Sequence, residues 1–346
     1  MFARKFKAGD WVVVRSREEI LASLDERGTI DGMPFMPEML QYCGQRLRVF
    51  KAGHKTCDST YYGLGRRMKN IVFLDDLRCG GEAHGACQAR CLLFWNTAWL
   101  RHSDRRDSAA QALLSSGSRR DSDWLAQHAS SVSGDGAVLY RCQATQHLSA
   151  SKPIKWYDVW HYVEDVTSRN VSMREALRGL LLLNVWKLRF LGMGWSAAMG
   201  LYDRLHRFFY GVQDPHLQGR IPKGTPTPEV KLALQPGEAV RVRDVREIEV
   251  TINYRNQNRG LSYNAEIAPF CNKTFQVEQR VTRIIDEKTG KMLDLKGPCI
   301  TLQGVYCEAR YHPQALFCPR RIPQYLREAW LERVPGQDQS MQPGKK

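Results

Sequence analysis

Residues 9–84 recur as residues 237–312 at a constant offset of 228 positions without a gap, and 15 of these 76 pairs are identical. The identities include Gly9/Gly237, Val12/Val240, Val14/Val242, Glu19/Glu247, Gly32/Gly260, Glu38/Glu266, Cys43/Cys271, Cys79/Cys307 and His84/His312. After a slip of three residues the correspondence resumes at Cys87/Cys318 and runs to Ala98-Trp99-Leu100 against Ala329-Trp330-Leu331. An internal copy of this length means one supersecondary unit used twice, so the chain must fold as two similar modules joined by a middle unlike either.

The 346 residues suffice for two or three hydrophobic cores, and 43% hydrophobic with 25% charged residues excludes broad disorder. The formal charge of +15 is unevenly spread. Residues 9–100 carry 12 basic and 11 acidic side chains and residues 237–334 carry 16 and 12, whereas residues 101–236 carry 18 and 12. The near balance of the modules makes nucleic acid a less favoured partner than a protein, since phosphate binding draws on clustered cations. No apolar run of signal-peptide length follows the basic start at Arg4, Lys5 and Lys7, so the expected location is cytoplasmic, with peripheral attachment to the cytoplasmic membrane face as an extension. Ten cysteines in such a chain read as thiols or metal ligands rather than as a disulfide framework.

Each module opens on a strand signal, Trp11 to Arg15 or Ala239 to Arg243, the second alternating apolar and charged residues. Ser16 and Asp244 then stand three positions before Glu19 and Glu247, the pattern of a capping box, which predicts a short helix over 17–24 in the first copy. Further strands are expected at 46–50, 71–74, 274–277 and 300–302, with turns at 59–65 and 286–291. The expected class is α+β: two homologous small β-barrel modules, SH3-like, joined by a helical middle segment. The boundaries are 1–101 for the first module, 102–155 for a linker with a short strand near 140–145, and 156–215 for a helical, basic and aromatic segment. A Pro-rich connector follows over 216–236, then the second module over 237–335 and a disordered tail over 336–346.

Zinc takes deprotonated sulfur or neutral imidazole, usually four ligands in a tetrahedron. Four ligand-type positions recur between the copies: Cys43/Cys271, Cys79/Cys307, His84/His312 and Cys87/Cys318. They predict a site of three thiolates and one imidazole in each module, with the Gly- and Ala-rich loop after Cys79 free to curl round an ion. In the first copy alone, Cys57, Cys79, Cys87 and Cys91 offer four thiolates, suited to zinc or to an iron–sulfur cluster. The alternative is that these thiols are core residues, since free cysteine is among the most buried side chains. Cys142 and Cys299 have no evident partner.

No phosphate loop, nucleophile elbow or metalloprotease motif is present, and Asp75-Asp76 would point to opposite faces of a strand. A Cys57–His54 couple would belong to the first copy only, because Thr282 and Ile285 stand at the equivalent places. Residues 173–210 interleave arginine and lysine with leucine, tryptophan and phenylalanine, and no uncharged run is long enough to span a bilayer. Such a segment fits an anionic membrane surface, or else a helical hairpin broken near Gly192 to Gly194 and packed on the modules. Three readings follow: a non-catalytic binding or scaffold protein with metal-stabilised modules, a nucleic-acid binder, and a redox or metal enzyme using the first-copy cluster.

The opening Gly9-Asp10-Trp11-Val12-Val13-Val14-Arg15 resembles the first strand of SH3-like and KOW-type barrels. The segments Met33-Pro34-Phe35-Met36-Pro37-Glu38-Met39, Tyr42-Cys43-Gly44, Cys79 to Cys91 and Ile284 to Gly290 together resemble an uncharacterised family of bacterial proteins with the same duplicated layout. That resemblance implies a bacterial source and carries over no catalytic residue.

Overall fold

The computed structural model describes residues 5–59, 64–103, 119–155, 157–188, 195–212, 217–312 and 315–334. Mixed α/β structure is distributed over several small sheets, one of them a half-barrel. The chain divides into two compact units. One comprises Met1–Leu180, Arg283–Asp294 and Glu308–Ile322; the other comprises Leu181–Thr282, Leu295–Cys307 and Pro323–Lys346.

In the first unit the strand Trp11–Val14 is flanked by Arg46–Ala52 and Leu100–His102, and Ile71–Leu74 and Trp95–Asn96 complete a five-stranded sheet. Three successive valines, 12 to 14, are buried, as a strand covered on both faces requires. Ser16 ends the strand and caps the helix Arg17–Ser23 with the expected reciprocal box to Glu19. Trp95 and Trp99 centre the core, each meeting Phe35 edge to face at 6.3 and 5.1 Å.

A four-stranded sheet elsewhere in the chain shares the pairing about its central strand. Ala239–Val242 pairs with Thr274–Ile285 on one side and Leu331–Arg333 on the other, with Met292–Leu302 beyond the first partner. Val12 faces Leu47 and Val240 faces Phe275, which is the same pairing displaced by 228 positions. Val12 also faces His102 and Val240 faces Arg333, displaced by 231 after the slip. Asp244 caps the helix Val245–Glu249 as Ser16 caps its counterpart. Trp330 fills the second core against Tyr263 at 5.9 Å and donates its indole N–H to Thr251 Oγ1 at 3.0 Å.

The middle is more structured than a linker with one short strand: it carries the helix Arg119–His128, whose Asp121 pairs with Arg17 at 2.6 Å, and the strands Ser130–Val132 and Lys152–Pro153. Residues 140–145, expected as a strand, form the end of the strand Val138–Tyr140 followed by the helix Gln143–Gln146. The cause is tertiary: the buried Gln143 amide accepts from Phe94 N–H at 2.8 Å and donates to Phe94 O and Pro34 O, which fixes the residue in a turn. The helical segment resolves into Trp160–Thr167, Met173–Leu188 and Trp195–Tyr210. The expected break at 192–194 lies outside the described residues, as do 60–63 of the first-copy turn, 104–118 of the linker and the tail over 336–346. No helix among the described residues is long and apolar enough to cross a membrane.

Candidate metal centre

Pro37 opens a 3-10 helix, Pro37–Tyr42, and places Glu38 in its first turn. Cys79 and His84 come from the loop over 79–91. Its ends are held by the bridge between Arg78 and Leu92 and by the Cys79 N–H bond to Cys91 O at 2.9 Å. Gly81 makes the loop close on itself. Its φ is +80°, and a Cβ there would lie 1.9 Å from the Cys87 carbonyl oxygen.

Three donor types meet where the 3-10 helix and the loop converge. The Cys79 thiol donates to Glu38 Oε1 at 3.2 Å, and its sulfur lies 3.5 Å from His84 Nε2. One ligand atom from each of Glu38, Cys79 and His84 falls within 4.8 Å of the others. His84 is 2% exposed, and its Nδ1 and the second oxygen of Glu38 are buried without a partner among the described residues. A buried polar atom left unpaired costs about 1–3 kcal/mol, a cost that an ion or water bound at this group would reduce.

Burial governs the protonation of the group. It pushes the His84 imidazole down to about 4, leaving it neutral and able to ligate near pH 7. Burial raises the Cys79 thiol well above its usual range, and the neighbouring Glu38 and Cys91 add to the effect. Glu38 is raised by burial as well. A divalent cation would reverse this balance, since it displaces the thiol proton and holds thiolate and carboxylate as anions.

Beside Cys79 and His84 lies a cavity of about 20 Å³ whose wall includes Cys87, Cys91, Cys142 and Met36. That volume admits one water-sized guest. The Cys87 sulfur accepts the Ile285 N–H at 3.3 Å, and burial pushes both Cys91 and Cys142 up to about 12. Cys142, which the sequence leaves without a partner, therefore faces the same space as four of the expected ligands, Cys79, His84, Cys87 and Cys91.

The remaining expected ligands have other surroundings. Cys43 ends the 3-10 helix and packs against the first core, with its thiol pushed up to about 11 by burial; it is not part of the Glu38–Cys79–His84 group. Cys271 ends the corresponding helix, Ala265–Phe270, and packs against the second core. Cys57 lies in the strand Lys55–Asp58 in thiol contact with Cys318, so the four-thiolate set of Cys57, Cys79, Cys87 and Cys91 is not gathered round one point. In the second unit Glu266 and Cys307 bring ligand atoms within 4.8 Å of each other. His312, half-buried, falls in the segment Glu308–Ile322 of the first unit.

Glu38 is the residue that a search for Cys and His passes over. Its signal is nonetheless in the repeat, because Glu38/Glu266 is one of the identical pairs. Comparison of the chain with protein-family models, curated proteins and solved structures returns no match.

One thiol, one imidazole and one carboxylate with an adjoining cavity form a three-ligand set with room for a fourth donor, either water or a neighbouring thiolate. Borderline-soft zinc suits that mixture better than magnesium or calcium, which favour oxygen alone.

Proposed function

We propose that this chain is a non-catalytic binding or scaffold protein whose first module is braced by one zinc ion held by Glu38, Cys79 and His84. The observation that carries the reading is that the three converging side chains are all positions kept identical between the copies. Bound zinc would tie the 3-10 helix to the loop over 79–91 and satisfy the unpaired atoms of His84 and Glu38 directly or through a water. The two sheets, with pairings displaced by constant offsets, support the finer reading of two homologous SH3-like modules.

The partner surface has a candidate in the helix Met173–Leu188. Met173, Leu177 and Leu181 are exposed at four-residue spacing, with the exposed Arg174 and Arg178 beside them. Apolar and cationic side chains on one helical face suit an anionic bilayer surface.

Elemental analysis of the tag-free full chain, purified without chelator, tests the zinc. About one or more equivalents of zinc are expected, falling by about one in Glu38→Gln and in Cys79→Ser. A fully folded, metal-free wild type refutes the reading. An absorption band of thiolate-bound iron in anaerobically purified protein would favour the iron–sulfur alternative instead.

A further inference from the structure

The first unit carries a second, larger concavity that the metal reading leaves unused. It is an open cleft of about 810 Å³, within the range of sites for nucleotide-sized molecules. Its wall carries five cationic side chains, Lys5, Arg15, Arg67, Lys69 and Arg101, against one carboxylate, Glu164. Glu164 bonds Arg67 at 2.8 Å and approaches Lys5 at 3.9 Å. From outside the wall, Glu19 pairs with Arg15 at 3.1 Å and Asp158 approaches Arg67 at 3.8 Å. Among the described residues the five cations outnumber these three carboxylates by two.

Its interior is built rather than merely open. His54 lines the cleft, with Nε2 3.0 Å from Asp165 Oδ1 and 3.1 Å from the His161 carbonyl oxygen. Asp165 is fully buried, and its other oxygen accepts from the buried Lys55 ammonium. Lys55 also donates to Leu316 O at 2.6 Å. The His54 ring is therefore fixed from behind by the buried Asp165 carboxylate and the His161 carbonyl, while its Nδ1, a buried atom, has no partner among the described residues. At another part of the wall Phe6 and His102 lie ring against ring at 4.3 Å.

We propose that this cleft binds a small molecule carrying a phosphate or polyphosphate group. Arg15, Arg67 and Arg101 offer guanidinium forks that match phosphate geometry, Lys69 adds an exposed point charge, and His54 supplies a held imidazole inside the cleft. The volume favours a compact ligand over a polymer, and the Phe6–His102 pair offers an apolar face to a ring attached to the phosphate. This site shares no residue with the Glu38–Cys79–His84 group, so it stands or falls apart from the zinc.

Calorimetric titration of the full chain with pyrophosphate and with magnesium-free ATP is the test, with adenosine as the uncharged control. Saturable binding of both phosphate probes and none of adenosine is expected. Affinity should fall by about tenfold or more in the Lys69→Glu/Arg101→Ala double variant, with its melting temperature as the control for folding. A second variant, His54→Gln, keeps a polar side chain in the cleft and is expected to weaken binding severalfold. Absence of saturable binding by both phosphate probes, or unchanged affinity in the folded double variant, overturns the proposal. Tighter binding of a single-stranded oligonucleotide that ATP does not compete away would also overturn it, in favour of a nucleic-acid groove.

Discussion

The Cys79 thiol donates to the Glu38 carboxylate at 3.2 Å, so the proton that a bound metal ion would have to displace is shared between two of the proposed ligands. Because burial holds that thiol protonated well above its ordinary range and keeps His84 neutral down to about 4, zinc uptake should release about one proton near neutral pH. Zinc affinity should therefore rise about tenfold per pH unit from roughly pH 6 to 8. The dependence should steepen as pH falls toward the His84 value, where a second proton competes. Competition against a chromophoric chelator across this range measures the slope, and a flat profile would exclude Cys79 as a ligand.

Gly81 is the least replaceable glycine of the loop. A methyl group in Gly81→Ala would meet backbone rather than a movable side chain, in a left-handed conformation that alanine resists. Destabilisation of about 2–4 kcal/mol and loss of bound zinc are expected, read by chemical denaturation and elemental analysis. Gly136, whose φ is +79° but whose added Cβ would meet nothing within 4 Å, provides the contrast. Gly136→Ala should cost about 1 kcal/mol and leave the metal in place.

Lys55 and Asp165 form a buried ion pair in which each neutralises the other, and burial otherwise drives the lysine down. Lys55→Met should cost about 3–5 kcal/mol by leaving the buried Asp165 carboxylate with His54 but without its ammonium partner. Combining it with Asp165→Leu should recover part of that loss, because two apolar residues leave no stranded charge. Denaturant midpoints of the two single variants and the double variant decide the matter; simple additivity would mean that the pair is not coupled.

The exposed face of the helix Met173–Leu188 leads to a prediction about bilayers. The full chain should float with vesicles containing about one third anionic lipid, and Arg174→Glu/Arg178→Glu should weaken binding by at least about tenfold, given about 1 kcal/mol per cation. Equal flotation with neutral and anionic vesicles would remove charge as the basis of attachment.

The frame of the molecule was legible wherever structure is local or periodic. The Ser16 and Asp244 boxes, the alternation at Ala239–Val242 and the common pairing of Val12 and Val240 all follow from spacing along the chain. The candidate site was legible only in part. Cys79 and His84 lie five residues apart and announce themselves, but Glu38 is 41 positions from Cys79 and meets it only once the sheet has formed. Cys142 faces the cavity for the same reason, carried there by a helix that the buried Gln143 anchors to Phe94 and Pro34. Cys43 and Cys271 recur too, yet each follows an aromatic residue at a helix end and packs into a core, so recurrence alone does not separate ligand from filler.

The slip of three residues falls between His84 and Cys87 in one copy and between His312 and Cys318 in the other, while the strand pairings before and after it stay in step. Left-handed backbone recurs on both sides of it, at Gly81 and Ala309 before and at Arg90 and Arg321 after. Length has thus changed at a point where neither sheet registers it. Insertion here could alter one loop's chemistry without disturbing the scaffold that presents it.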